Sequence, residues 1–187
     1  MSDKTQIYKQ EYIFCQKNYA VSVCRIEPEN NTHLILEAFS RQTKMPLVIV
    51  GNWKNSGYGL SLLQQYSSFS NIHLSDPIYN PEKINFLRSS AFLYVHGHSA
   101  GGTNPSLVEA MFLGLPILAF DCVYNRYTTE NQCLYWSDAD ELYTYIANYE
   151  NAKSDAMGKS MKQIAERRYK WEKITAKYEK LFDKSVS

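Results

Sequence analysis

A glycine-rich segment in the second half of the chain carries residue types that can bind a phosphate group. The segment HGHSAGGTNPSLVEAM (residues 96–111) follows a short apolar run and leads into a helical pattern. Its glycines allow a tight turn, and its polar side chains stand where the helix begins. Because the first backbone N–H groups of a helix are unpaired and its dipole is positive there, this end favours a diphosphate. The residues concerned are Gly101, Gly102, Thr103, Asn104 and Ser106.

Glu109 lies about one helical turn beyond Ser106, where its carboxylate can accept hydrogen bonds from ribose hydroxyls. The segment is not a dinucleotide fingerprint, because no G-x-G-x-x-G follows the first predicted strand. An ordinary glycine-rich turn with a solvated Glu109 is an alternative interpretation.

Arg25 is a second candidate, because it directly follows the first predicted strand. A guanidinium at the carboxyl end of that strand can face the same diphosphate. A surface arginine paired with Glu27 or Glu29 is the alternative.

The other candidate motifs do not predict a metal site. Asp138-Ala139-Asp140 has the D-x-D spelling of metal-dependent sugar transferases, but it stands where a helix begins, so capping is expected. His96 and His98 alternate along a strand, which makes a poor chelating pair, although one of them can lie near a sugar. The cysteines form no C-x-x-C pair and indicate buried, inert thiols in a reducing cytosol; they are Cys15, Cys24, Cys122 and Cys133. We therefore expect no cofactor and no metal requirement.

The chain alternates short apolar runs with longer segments of helical periodicity. This alternation predicts an α/β, Rossmann-like doubly wound parallel sheet of about six strands. The predicted strands are residues 19–24, 46–50, 71–74, 91–95, 116–120 and 133–136. Residues 151–182 are predicted to form C-terminal helices, in two pieces that meet near residues 169–171. We expect one domain over residues 1–187, with its core in residues 19–150.

Length and charge narrow the class of protein further. A chain of 187 residues with a net charge of +1 fits one large domain and argues against a broad basic face for nucleic acid. No apolar run approaches the ~20 residues that span a bilayer, and the polar N-terminus does not resemble a secretory signal. A cytoplasmic location is therefore expected.

Two stretches resemble a known family. RIEPENN (residues 25–31) and GTNPSLVEAMFLGLPILAFD (residues 102–121) resemble the C-terminal, donor-binding half of a GT-B fold glycosyltransferase of the retaining family 4 group. Residues 96–111 together with DCVYNRYTTEN (residues 121–131) resemble bacterial rhamnosyltransferases of capsule and cell-wall polysaccharide synthesis. The resemblance covers about residues 19–182.

The resemblance implies roles for the candidate residues. Arg25 would bind the diphosphate of a nucleotide sugar and act in catalysis, with the amides of residues 102–104 on the same group and Glu109 on the ribose. The stretch from His73 to Tyr79 would pass the nucleobase, and His98 would lie near the sugar. Asn30 and Gly101 would also contact the donor. The chain departs from the family at both, because a lysine is usual at position 30 and the first glutamate of E-x7-E is usual at position 101. Both departures fit a variant subgroup whose deoxy sugar has fewer hydroxyls to hold.

The resemblance implies that this chain is one half of an enzyme. The donor would be a dTDP-, UDP- or GDP-sugar, with dTDP-rhamnose the expected one. A missing N-terminal half would bind a lipid-linked or oligosaccharide acceptor at the inner membrane face. The isolated chain is therefore expected not to transfer sugar. A non-catalytic nucleotide-binding subunit or regulatory module is the alternative.

Overall fold

The centre of the molecule is one parallel sheet of six strands in the order β3-β2-β1-β4-β5-β6. The computed structural model describes residues 3–12, 18–149, 151–175 and 179. Every pair of neighbouring strands is parallel, as the alternating pattern predicts. The strands are β1 (Ala20–Val23), β2 (Leu47–Val50), β3 (Ile72–Ser75), β4 (Leu93–His96), β5 (Ile117–Phe120) and β6 (Leu134–Trp136).

Eight helices accompany the strands in the described residues up to position 168. They are α1 (Asp3–Glu11), α2 (Thr32–Ser40), α3 (Gly57–Tyr66), α4 (Pro81–Ser89), α5 (Pro105–Phe112), α6 (Val123–Thr128), α7 (Ala139–Ala147) and α8 (Asn151–Arg168). Short 3-10 turns lie at Pro28–Asn30 and Trp53–Asn55. The chain bends at residues 169–170 and is helical again over 171–175, which confirms the predicted break. Cys15 lies outside the described residues, and so does the rest of the predicted C-terminal helix apart from residue 179.

Helices cover both faces of the sheet, and each face has its own apolar core. One core joins the sheet to α2, α3 and α7, whereas the other joins it to α4, α5 and α8. All four residues of β2 are buried, because both faces of this strand are covered. No helix among the described residues is both long and apolar enough to cross a membrane.

Helix α8 packs closely against the turn after α5. A Cβ on Gly158 would lie only 2.2 Å from the carbonyl oxygen of Gly114, so glycine is required for this approach. Gly114 itself has a φ of +70°, the left-handed conformation with which many helices end. Although Gly158-Lys159-Ser160 has a phosphate-loop spelling, it lies inside α8 and does not precede a helix.

The strand order places a crevice at the carboxyl ends of β1 and β4. The chain leaves β1 toward β2 on one side and β4 toward β5 on the other, so the loops after β1 and β4 diverge there. Such a switch point is where open α/β sheets bind ligands. Helix α5 begins at this crevice with Asn104 as its N-cap and Pro105 as its first residue, as predicted.

Candidate functional site

A cleft of about 370 Å³ opens at the carboxyl ends of β1 and β2. A second cavity of about 200 Å³ adjoins it and reaches the loop after β4. Arg25 and Ser106 line both spaces. Tyr79 lines only the cleft, whereas Asn30, His98 and Asn104 line only the second cavity. The structure therefore gathers six of the ten predicted site residues around one continuous region.

Arg25 stands at the opening with its side chain 74% exposed. Its guanidinium lies 3.8 Å from the Glu29 carboxylate, which confirms that Glu29 is its acidic neighbour. At this distance and exposure the pair contributes little stability. The guanidinium therefore stays accessible to a ligand in either space.

The beginning of α5 presents unpaired backbone donors. Asn104 Oδ1 accepts a hydrogen bond from the Ser106 amide at 2.9 Å, which caps the helix. In the part of the chain that the structure describes, the amides of Gly102, Thr103 and Asn104 donate no hydrogen bond. Gly101 has a φ of +85°, so the preceding turn needs a glycine. This end of α5 has the donors and the dipole that an anion requires.

Glu109 lies on the second turn of α5 but does not line either space. Its carboxylate is 2.6 Å from Arg88 Nη2. Arg88 is on α4 with a side chain only 8% exposed, whereas that of Glu109 is 52% exposed. Glu109 thus neutralises a buried arginine, and its remaining lone pairs stay open to solvent.

Asn30 is buried, and both ends of its amide are used within the chain. Its Nδ2 donates to the carbonyl oxygen of Arg25 at 2.9 Å, and its Oδ1 lies 2.9 Å from His98 Nδ1. The resemblance implies a direct role for Asn30 on the donor. Asn30 lines the second cavity, and its two hydrogen bonds also join the loop after β1 to the loop after β4.

Further hydrogen bonds join these two loops. Asn31 Nδ2 donates to the carbonyl oxygen of Gly97 at 2.9 Å, and the Ser99 amide donates to the carbonyl oxygen of Glu29 at 2.8 Å. Asn125 on α6 donates to the carbonyl oxygen of His98 at 2.8 Å. Asn31 holds the N-cap position of α2 in a left-handed conformation, but its side chain makes no capping bond. The sequence predicts Asn30 or Asn31 as the cap of this helix; Asn31 is the N-cap residue by position, but its side chain bonds to Gly97 instead of the helix.

The two histidines of the segment differ in surroundings. His96 ends β4 and is buried, and this burial lowers its pKa to about 3. His98 is only partly buried; burial lowers its pKa, Glu29 and the Ala100 backbone act to raise it, and Arg25 acts to lower it.

Cys24 also lines both spaces, and burial raises the pKa of its thiol to about 11.

The cleft wall opposite α5 comes from the loops after β2 and β3. Pro77, Ile78 and Tyr79 line it, and Tyr79 is 90% exposed. Asn52 and Asn55 also line the cleft, and neither was predicted from the sequence. Asn52 Oδ1 accepts a hydrogen bond from the Ile26 amide at 2.7 Å, which holds the loop after β1. The sequence feature that could have identified these two asparagines is the polar GNWKN stretch (residues 51–55), which directly follows a strand.

The acidic pair at residues 138–140 has structural partners. Asp138 Oδ1 accepts from the Glu141 amide at 2.8 Å and caps α7, as predicted. Asp140 pairs with Arg41. Among the described residues, no group of three or more His, Cys, Asp or Glu side chains is placed to hold a metal ion.

A parallel six-stranded sheet covered by helices, with a cation and a helix N-terminus at its switch point, defines a Rossmann-like α/β domain. The comparison with family models gives the particular family. Residues 3–171 match the model described as Glycosyl transferases group 1, and the chain belongs to this family. No curated protein matches it significantly in sequence.

Solved structures share the fold. A glycosyltransferase from Rickettsia africae matches 100% of this chain and 53% of its own, with a TM-score of 0.84 and 10% identity. HepE from Anabaena in complex with UDP-glucose matches 98% of this chain and 54% of its own, with a TM-score of 0.82 and 16% identity. The C-terminal domain of the group 1 family glycosyl transferase LpcC from Francisella tularensis matches 89% of this chain and 98% of its own, with a TM-score of 0.66 and 15% identity.

The chain therefore spans about half the length of the first two structures and nearly all of the isolated C-terminal domain. These similarities show that the fold is that of a GT-B glycosyltransferase half.

Proposed function

We propose that this chain is the donor-binding half of a retaining glycosyltransferase and binds a nucleoside diphosphate sugar at the cleft. The observation that carries the proposal is the accessible Arg25 guanidinium in the same cavity as Asn104, where α5 begins and the preceding amides donate no hydrogen bond among the described residues. A cation and a helix N-terminus together complement the two negative charges of a diphosphate. HepE, which has this fold, is described in complex with UDP-glucose.

The nucleotide lies across the cleft in this proposal. Its base contacts the wall of residues 77–79, and its diphosphate lies between Arg25 and the amides of residues 102–104. Glu109 accepts from the ribose with the lone pairs that Arg88 leaves free. The transferred sugar occupies the second cavity.

Arg25 and α5 would act when the bond from the sugar to the diphosphate breaks. The leaving diphosphate gains negative charge in the transition state, and donors already in place stabilise it without reorganisation. We infer that these donors serve without a metal ion. The acceptor must be held in line with the anomeric carbon, and this positioning falls to a second half that supplies the acceptor site.

We further propose that the donor is dTDP-rhamnose and that the whole enzyme works in the cytoplasm, at the inner membrane face, on a lipid-linked or oligosaccharide acceptor of a bacterial surface polysaccharide. The support is the resemblance of residues 96–131 to bacterial rhamnosyltransferases. The second cavity agrees with a deoxy sugar, because no carboxylate lines it.

Calorimetric titration of the chain with dTDP, UDP and GDP, and with their sugars, tests the proposal. We expect Arg25→Ala to weaken binding of the preferred nucleoside diphosphate about tenfold or more, because a charge-assisted hydrogen bond is lost. Arg167→Ala is the matched control, since Arg167 is also exposed and paired with a glutamate but lines neither space. Equal affinities for wild type and folded Arg25→Ala would contradict the proposal.

Joining the chain to an acceptor half separates an enzyme from a non-catalytic subunit. We expect acceptor-dependent transfer by the joined protein and none by this chain alone. Tight nucleotide binding without transfer in the joined protein would favour the non-catalytic alternative.

A further inference from the structure

His98 is held in place through its main chain from three directions. Its carbonyl oxygen accepts from Asn125 Nδ2, and its two neighbours bond to the loop after β1 through Asn31 and Glu29. Asn125 donates to the carbonyl oxygen of Phe120 as well, so it also joins this loop to the end of β5. A side chain on such a fixed backbone is preorganised for a ligand.

The tautomer of the His98 ring follows from its partner. A backbone carbonyl can only accept, so the Asn30 atom facing the Arg25 carbonyl must be the amide nitrogen Nδ2. Asn30 therefore turns its oxygen Oδ1 to His98 Nδ1 at 2.9 Å. Because that oxygen can only accept, Nδ1 carries the proton, and a neutral ring keeps its lone pair on Nε2.

By ordinary distance and angle, Nε2 makes no hydrogen bond to the described residues, although the Ala100 backbone lies close enough to the ring to raise its pKa. A Cβ added to Gly101 would lie 3.8 Å from Nε2, so this nitrogen faces the turn that precedes α5. His98 lines the second cavity, which contains no residue of the 77–79 wall. The ring thus lies on the side of Arg25 that is away from the proposed base.

The second cavity has few free acceptors among its lining side chains. The oxygens of Asn30 and Asn104 are already used, by His98 and by the Ser106 amide respectively. Of the polar side-chain acceptors there, His98 Nε2 and the Ser106 hydroxyl are the ones that accept no hydrogen bond among the described residues, and no carboxylate lines the space.

The surroundings of the His98 ring favour its neutral form at neutral pH. Burial lowers the pKa of His98, and the Arg25 guanidinium acts in the same direction, while Glu29 and the Ala100 backbone oppose them. His96 lies behind it with a ring centroid at 6.2 Å and is itself neutral because of its burial. An acceptor-only Nε2 repels phosphate oxygens and attracts a hydroxyl.

We propose that His98 is a specificity-determining residue whose Nε2 accepts a hydrogen bond from a hydroxyl of the transferred sugar, and that Asn30 is the positioning residue that sets its tautomer. This inference rests on the proposed function, because it requires the donor sugar in the second cavity. Where the family usually has a glutamate, this chain has Gly101, and His98 would offer the sugar one neutral acceptor instead. A single neutral acceptor suits a sugar with few hydroxyls.

The test separates the contribution of the sugar from that of the nucleotide. The probes are dTDP with dTDP-rhamnose and UDP with UDP-glucose, titrated against wild type, His98→Phe and His98→Gln. In the pair with the preferred donor, we expect His98→Phe to weaken binding of the nucleotide sugar about fivefold and to leave the parent diphosphate within about twofold, because one neutral hydrogen bond is lost. His98→Gln keeps an acceptor there and should restore part of the loss. Thermal unfolding of each variant checks that it is folded.

Two further readouts address the tautomer and the charge. Proton–nitrogen correlation spectra of the imidazoles should show His98 as the Nδ1–H form in wild type and a shifted mixture in Asn30→Ala. As the pH falls through the lowered pKa of His98, Nε2 gains a proton, so the extra affinity for the sugar form should disappear while diphosphate affinity persists.

The outcomes are distinguishable. Equal losses for the diphosphate and its sugar in His98→Phe, or an Nε2–H tautomer in wild type, would overturn this inference and leave the proposed function standing. Failure of wild type to bind any of the nucleotides would overturn both.

Discussion

The loop between β4 and α5 has two parts that differ in almost every respect. The tethered segment, residues 97–99, bonds to the loop after β1 and to α6 through Asn31, Glu29 and Asn125. The open segment, residues 100–103, is exposed throughout, and the amides of Gly102 and Thr103 donate no hydrogen bond in the described structure. The two segments lie next to each other at one site.

Under the proposed function, this difference would separate two tasks of the site. The tethered segment holds one ring nitrogen at a fixed position, which a specific contact to a sugar requires. The open segment offers backbone donors that any phosphate can use, so it needs free amides rather than particular side chains. Glycine occurs in both segments for opposite reasons: Gly97 allows a close approach, and Gly101 allows a left-handed turn.

The largest effect is expected from Gly97→Ala in the tethered segment. The new Cβ would lie 2.1 Å from the carbonyl oxygen of Asn30 and 3.0 Å from Ile35 Cδ1, so the two loops must move apart. We expect the free energy of unfolding to fall by about 3 kcal/mol, the upper part of the range for overpacking. Urea denaturation measures it. A loss below about 0.5 kcal/mol, the scale of a neutral surface change, would show that the two loops are not rigidly joined.

A smaller effect is expected from acid, through His96 at the base of the tethered segment. The ordinary pKa of an unfolded histidine is about 6.5, whereas burial lowers that of His96 to about 3 in the folded chain. The unfolded chain therefore binds more protons between these values, and stability falls as the pH falls below about 6.5.

As the pH falls from 6.5 to 5, the titration of His96 should lower the free energy of unfolding by about 2 kcal/mol. Denaturation at several pH values measures the slope, and His96→Phe should flatten it because the ring no longer titrates. Parallel slopes for the two proteins would mean that His96 does not carry the pH dependence.

The smallest effect is expected from Gly102→Ala in the open segment. No heavy atom lies within 4 Å of the added Cβ, and the φ of Gly102 is not in the left-handed region. We expect the free energy of unfolding to change by less than about 0.5 kcal/mol, as for a surface substitution. Denaturation beside Gly97→Ala gives the direct comparison, and similar losses for both would remove the distinction between the segments.

The sequence predicted the sheet because its evidence is local. Each strand is a short apolar run, and Asn80, Asn104 and Asp138 cap their helices with side chains only two or three residues away. Helix α6 was missed for a local reason as well. It has no capping side-chain bond, and Val123, Tyr124 and Tyr127 are exposed, so its sequence has no clear apolar stripe.

The site was less predictable because its key partners are far apart in sequence. Arg25 and Asn104 could be placed from their positions after a strand and before a helix. The role of Asn30 depends on His98, 68 residues away, and that of Glu109 depends on a buried arginine on another helix. Neither of these two contacts can be deduced from the spacing of residues in the sequence.

Cys24 has a consequence for the chemical reactivity of the site. It lines both spaces, yet its pKa of about 11 leaves only about one thiol in a thousand ionised at pH 8. Alkylating reagents and peroxides attack the thiolate, so this cysteine should react slowly despite its place at the site. A ligand in either space would therefore lie beside a sulfur that oxidants attack slowly.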